Sequence, residues 1–196
     1  MDKLKQIFEK VFKKSEQAFF DVIHADSILL SQALFGRIIE GEEDPVRRIE
    51  ILKSIQALDF DTEPENFQKS LNKAIKGTHG ASLSKRKISS LKEMKVFKVK
   101  DIDAGFALCN REGKPNFSEI VAVHNASNIS NIGQALMIAA VFLCGKYLEC
   151  AGEFLSKTLY KTAGFETYRE TPNVSLSNGT IETIYYMKLK GITEPS

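Results

Sequence analysis

Residues 119–135 read E-I-V-A-V-H-N-A-S-N-I-S-N-I-G-Q-A. An apolar run stops at His124, a polar Asn/Ser stretch follows, and an apolar helix begins at Gly133. A junction of this kind, between a buried strand and a buried helix, presents free backbone N–H groups at the positive end of the helix. It has the construction of an anion-holding loop, and equally that of a simple capped helix start with Ser130 or Asn131 as the cap.

Working outward, M-K-V-F-K-V-K-D (94–101) alternates apolar and charged residues, as a half-buried strand does. Asp101-Ile-Asp103-Ala turns into G-F-A-L-C-N, and R-E-G-K-P-N turns again into S-E-I-V-A-V-H. Three strands joined by short turns predict an antiparallel meander. Beyond the loop come an apolar helix from Gly133 to Gly145, a strand Y-L-E-C-A-G-E-F, a short helix S-K-T-L-Y-K-T-A closed by Gly164, and a last strand T-I-E-T-I-Y-Y-M-K-L-K. The order β-β-β-α-β-α-β predicts an α+β fold, with helices packed on a mixed, mostly antiparallel sheet.

The other half has a different period. Leu4, Ile7, Phe8, Val11 and Phe12 mark one face of a first helix. Further helices are expected over about 26–40, from the Asp44-Pro45 start to about Leu58, and over about 63–76. The chain thus divides into a helical N-terminal segment (1–80), a basic connector (81–93) and an α/β core (94–196), together forming one continuous domain. The apolar face of the first helix suits packing on its own domain, and also a homodimer.

A chain of 196 residues with 43% hydrophobic residues has enough material for one sizeable core. The net charge of +2 excludes a global electrostatic attraction to nucleic acid. A local one is left by Lys85, Arg86, Lys87, Lys92, Lys95, Lys98 and Lys100, a run whose usual fate is a solvated face. The three cysteines lie in apolar stretches without paired spacing, which suits reduced thiols and argues against a disulfide framework or zinc site. No metal site is expected from three scattered histidines. The N-terminus lacks a continuous apolar segment and no run spans a bilayer, so the expected location is cytoplasmic, with no membrane span.

Three local features resemble the GNAT superfamily of N-acetyltransferases over about residues 94–190. The first is E-I-V-A-V-H-N followed by N-I-S-N-I-G, where the family has Gln/Arg-x-x-Gly-x-Gly/Ala. The second is L-Y-K-T-A-G-F-E, similar to Leu-Tyr-Glu-Lys-x-Gly-Phe. The third is G-F-A-L on a strand after a tight turn. The chain departs from the pattern at Asn128 and Asn131, which replace Gln/Arg and the first glycine, while Gly133 is kept. No counterpart of the family's first strand, ahead of its first two helices, is visible in the N-terminal half.

The resemblance implies a fold of the GNAT type and transfer of an acyl group, most simply acetyl from acetyl-CoA, to an amine acceptor. It implies that the coenzyme pyrophosphate rests on Asn128, Ser130, Asn131, Ile132, Gly133 and Gln134, and the pantetheine arm along the backbone of Val121 to His124, with Val121 and Val123 as its contacts. Tyr160 falls on the tyrosine position that serves the departing thiolate. Glu119 is the candidate base, with His124 its rival and Glu149 and Glu153 further candidates. A second expectation keeps the fold without catalysis, as a binding or regulatory module acting through the helical half. A third, nucleic-acid binding through 85–100, lacks aromatic interleaving.

Overall fold

A computed structural model describes residues 35–40, 43–56, 58–77, 83–111, 114–127, 129–176 and 178–192. The first expected helix and the start of the second lie outside the described residues; 35–40 is helical. Helix α1 (Pro45–Gln56) starts as its sequence dictates, with the Asp44 Oδ1 accepting from the Val46 amide at 2.9 Å.

The N-terminal half is not helical throughout. A two-residue strand β1 (Phe60–Asp61) interrupts it before α2 (Pro64–Ile75). Phe60 is an aromatic among charged neighbours and lies edge-on to Phe97 and Phe106, with centroids 5.7 and 5.8 Å away. Two residues give a strand no periodicity, so only this tertiary contact reveals it. Helix α2 buries Phe67, Ser70, Leu71 and Ala74, an i, i+3, i+4, i+7 stripe. The expected connector contains a further helix, α3 (Ile88–Lys92), whose Leu91 is fully buried. It is therefore part of the core's covering layer.

The meander is present as β2 (Lys95–Val99), β3 (Ala104–Arg111) and β4 (Lys114–Asn125), paired antiparallel in sequence order. Helix α4 (Ile132–Phe142) follows, then β5 (Tyr147–Ala151), which stops three residues earlier than its sequence suggests. Gly152, at φ 84°, turns the chain into a helical segment comprising α5 (Glu153–Leu155) and a π-helical turn, Ser156–Tyr160. A strand absent from the sequence reading follows, β6 (Phe165–Ser175), before β7 (Ile181–Leu189). Its polar run and Pro172 mask it.

Among the described residues seven strands form one sheet in the order β1-β2-β3-β4-β5-β7-β6. Only β4 and β5 are parallel. The coarse class is thus α+β with a mixed sheet flanked by helices. Helices α1 and α4 cover one face, against Phe97, Phe106, Leu108 and Ile120. Helices α2 and α3 cover the other face over β2–β4, against Val96, Ala107 and Val121. Strands buried on both sides read as continuous apolar runs, as I-V-A-V does. Helix α4 is buried almost all round, and each large side chain so buried contributes about 1.5–3 kcal/mol. Gly145 permits the turn into β5: a Cβ there would stand 2.5 Å from the Ile120 Cγ1 and 2.7 Å from the Ala140 carbonyl. Among the described residues no helix is long and apolar enough to cross a membrane.

Candidate functional site

Strands β4 and β5 run parallel but pair at only two positions, Glu119 with Tyr147 and Ile120 with Leu148. Beyond Ile120, β4 continues to Asn125 bonded only to β3, while β5 continues to Ala151 bonded to β7. The sheet forks there, and one edge of β4 from Val121 onward has no strand partner among the described residues. The mouth of the fork leads to the Asn/Ser loop and the N-terminus of α4.

A bulge sits inside this exposed edge. Gly105 pairs with His124 and Ala107 with Val121, so two steps on β3 face three on β4. Ala122 takes the extra position at φ 52°. As a result Val121 and Ala122 both face the α2/α3 layer, and Val123 packs toward the α1/α4 core. Simple alternation would give neither the second placement nor that of His124, which returns to the α2 side. Gly105 accommodates this: a Cβ there would meet the Phe97 carbonyl oxygen at 2.3 Å and the His124 ring at 3.2 Å.

His124 is 3% exposed. Its Nδ1–H donates to the Ala122 carbonyl at 3.0 Å, which leaves Nε2 to accept the Ser70 hydroxyl at 2.8 Å. The Phe67 ring stands edge-on at 5.0 Å. Burial pushes the imidazole down to about 4, against the smaller opposing effect of the Ala122 bond. The ring is neutral, and both nitrogens are engaged within the protein.

Glu119, five residues earlier on the same strand, is half-buried, and its one side-chain hydrogen bond comes from the Cys109 thiol, at 3.6 Å. It makes no ion pair among the described residues. Burial raises its carboxyl above the ordinary range, the nearby Glu149 adds to this, and the Cys109 bond, Arg111 and Arg86 oppose it. Cys109 is itself pushed up to about 12 by burial and by Glu119, so it stays a thiol donor.

At the mouth, Asn131 is left-handed (φ 60°) and occupies the N-cap position of α4 without a side-chain cap bond. The first-turn amides of Ile132, Gly133 and Gln134 have no acceptor within the helix by its geometry. Asn128 lies outside the described residues. Gly133 approaches Leu159 of the π-helical turn, whose methyls a Cβ would meet at 3.5–3.6 Å. A carboxylate from α1 also reaches the loop: Glu50 Oε2 accepts from the Ser130 hydroxyl and the Asn131 amide, both at 3.2 Å. Ser54 donates to the Ser130 carbonyl at 3.1 Å, and the Arg47 Nε to the Asn131 Oδ1 at 3.4 Å. Nothing in the sequence around Glu50 announces this contact, because its partners lie 80 residues away.

Tyr160 is 6% exposed, on the last residue of the π-helical turn, and packs in the α1/α4 core with Cys150. Burial pushes its phenol above the usual range, so it remains protonated at neutral pH. Glu149 on β5 is near enough to Glu119 to raise its carboxyl, whereas Tyr160 is enclosed in the α1/α4 core and His124 beneath α2. Glu153 pairs instead with Lys157 on its own helix.

One group of side chains beside Glu119 was not singled out from the sequence. The guanidinium of Arg111 lies 3.8 Å above the Tyr147 ring and donates to the Tyr168 hydroxyl at 3.1 Å. Arg169 lies 3.7 Å above the Tyr186 ring. These residues come from β3, β5, β6 and β7, so no sequence spacing links them.

Members of the basic run have separate local contacts. Lys95 sits over Phe117 at 4.3 Å, Arg86 influences Glu119, and Lys98 and Lys100 line a cleft of about 580 Å³ beside α2. That cleft is away from the fork, and carboxylates answer some of its lysines, Lys73 to Asp103 at 2.7 Å and Lys100 to Asp59 at 3.1 Å. Among the described residues no cluster of three or more His, Cys, Asp or Glu is arranged to hold a metal. Protein families, curated proteins and solved structures yield no match to this chain.

Proposed function

We propose that the chain is an acyl-coenzyme A-dependent N-acyltransferase of GNAT type, most simply transferring acetyl from acetyl-CoA to an amine. The observation that carries this reading is the fork: two parallel strands that pair for two residues and part, with a polar loop and helix N-terminus at the mouth and an unpaired carboxylate at the apex. A two-residue β1 ahead of α2 and α3, paired antiparallel with β2, is compatible with a first strand of that family and supports the reading.

In this reading the pantetheine arm lies along the open edge of β4, where the bulge at Ala122 turns a backbone amide of Val123 or His124 toward the thioester carbonyl. The pyrophosphate rests against the amides of Ile132 to Gln134. Glu119 takes the proton of the attacking amine, and its raised carboxyl pKa brings it nearer the operating pH. Tyr160 supplies an O–H donor to the departing sulfur; its raised pKa keeps the proton in place but makes it a weak acid. His124 positions β4 and serves as no base, since Nε2 already accepts from Ser70.

One observation favours the non-catalytic alternative: the Glu50 carboxylate already satisfies Ser130 and Asn131, where an anion would sit. Calorimetric titration with acetyl-CoA separates the two. One-site binding that is weakened by Gly133→Trp in a folded variant supports the transferase. No heat up to millimolar acetyl-CoA from the folded protein rejects it.

A further inference from the structure

We propose that the cleft beside α2 binds a small sugar or polyol bisphosphate, at a site separate from the fork and independent of the transferase reading. The cleft encloses about 580 Å³ between α2, the β1–β2 edge of the sheet and the β2–β3 turn. Five lysines line it: Lys69, Lys73 and Lys76 from α2, and Lys98 and Lys100 from the strand side.

Alternation along V-F-K-V-K puts the last two there. Phe97 and Val99 enter the α1/α4 core, so Val96, Lys98 and Lys100 take the opposite face, where Val96 is buried beneath α2 and α3. Asp61 follows Phe60 and pairs in register with Lys98, so it shares that face. On α2, Lys69, Lys73 and Lys76 recur at i, i+4, i+7 and mark one side of the helix. That side lines the same cleft as the strand lysines. A solvated helix face, the usual fate of such lysines, does not set like charges opposite like charges. A concave lining of one dominant sign concentrates counter-ions.

The local carboxylates do not balance this lining. Asp103 takes Lys73 at 2.7 Å, and Asp59 takes Lys100 at 3.1 Å. Asp61 accepts from the Glu63 backbone amide at 2.9 Å and from the Asn66 side chain at 2.8 Å. The Lys98 Nζ donates to a neutral group, the Val99 carbonyl, at 2.9 Å. Lys69 and Lys76 have no ion-pair partner among the described residues.

The lining also selects the class of ligand. Lys69 and Lys76 stand roughly 10 Å apart along α2 at about 1.5 Å per residue, a wider spread of charge than one phosphate group covers. Ammonium groups bind phosphate as point charges, without the planar fork that matches a carboxylate. Asn66, Asn72 and Asp101 add acceptors that suit hydroxyl groups. Among the described residues no aromatic ring lines the cleft, so nothing there would stack a nucleobase.

The test is calorimetric titration of the full chain with fructose bisphosphate at low ionic strength. One-site binding is expected, tighter by about 10-fold or more than that of fructose monophosphate, because the second phosphate adds charge-assisted bonds. Lys69→Gln/Lys76→Gln changes two exposed positions and should weaken binding by about 10-fold or more, whereas Lys69→Arg/Lys76→Arg should retain most of it. No saturable heat at millimolar ligand, binding that the glutamine variant leaves unchanged, or displacement of the ligand by stoichiometric acetyl-CoA would each overturn the inference. So would a tighter hold on a single-stranded RNA oligonucleotide that the glutamine variant loses, which would make the cleft a nucleic-acid contact.

Discussion

Strand β4 carries a titratable side chain near each end of its exposed stretch, and the two have opposite fates. His124 is enclosed by Phe67, Ser70 and the Ala122 carbonyl, and burial strips it of charge. Glu119 is half-buried with one thiol donor and a second carboxylate nearby, an arrangement that raises its pKa without satisfying its charge. A protein spends stability to leave a carboxylate in that state, so unpaired, perturbed groups mark functional sites more often than paired ones do. The bulge at Ala122 makes the difference: it rotates His124 into the α2 layer and leaves Glu119 at the fork.

The sharpest way to break this contrast is Glu119→Gln. On the proposed transferase reading the isostere removes the base and keeps the shape, so kcat/KM for acyl transfer should fall by about 10²–10⁴-fold. Thermal unfolding of the variant should match or exceed that of wild type, because a half-buried unpaired charge is gone. A variant that keeps full turnover removes Glu119 from the reaction.

At the sealed end the leading loss is of stability. Phe67 is fully buried over the His124 ring, and Phe67→Ala should cost about 3–5 kcal/mol in denaturant unfolding. It should also admit water to the imidazole, and the His124 pKa, followed by NMR, should climb from about 4 toward its ordinary 6.5. An unchanged pKa would mean that some other group, and not the α2 layer, keeps the ring neutral.

The same imidazole predicts acid sensitivity. Its folded pKa is depressed from 6.5 to about 4, so below pH 6.5 the unfolded chain binds a proton that the native chain refuses. The associated stability is complete above pH 6.5, falls as the pH drops toward 4, and amounts to about 3 kcal/mol at about 1.4 kcal/mol per unit. Glu119 acts with the opposite sign: its raised pKa makes stability decline as pH rises above 4.5. The difference between wild type and His124→Gln therefore isolates the histidine. A pH-independent difference over that window refutes its burial as a neutral ring.

How much of this was legible beforehand depended on whether the signal was local. The meander, α4 and the Asp44-Pro45 helix start were readable because period and cap chemistry lie within a dozen residues. β1 was invisible at two residues, and β6 was hidden by its polar run and Pro172. α3 passed for a linker because only Leu91 and Ile88 betray it among lysines and serines. At the site, Glu119 was a reasonable choice from its place at the start of an apolar strand. His124 stands as its rival in the sequence, since the bulge that buries it has no sequence mark beyond an alanine. Arg111 with Tyr147 and Tyr168, and Glu50 with Ser130 and Asn131, are joined only by the fold.

The smallest predicted effect bears on the loop itself. Asn131 holds a left-handed backbone at the N-cap of α4, and asparagine tolerates this conformation better than any residue except glycine. Asn131→Ala keeps the Cβ but loses the polar side chain that eases the left-handed backbone and bonds Glu50 and Arg47, at a cost of about 1 kcal/mol of stability. Asn131→Gly removes the backbone penalty but also the side chain that binds Glu50 and Arg47. If those contacts matter little, the glycine variant is at least as stable as wild type, and the position is simply one where a helix start needs a left-handed residue. If the glycine variant is as unstable as the alanine one, the Glu50 contact holds the loop. In that case Glu50→Gln, which keeps an acceptor and removes the charge, should strengthen the binding of acetyl-CoA if the transferase reading is right.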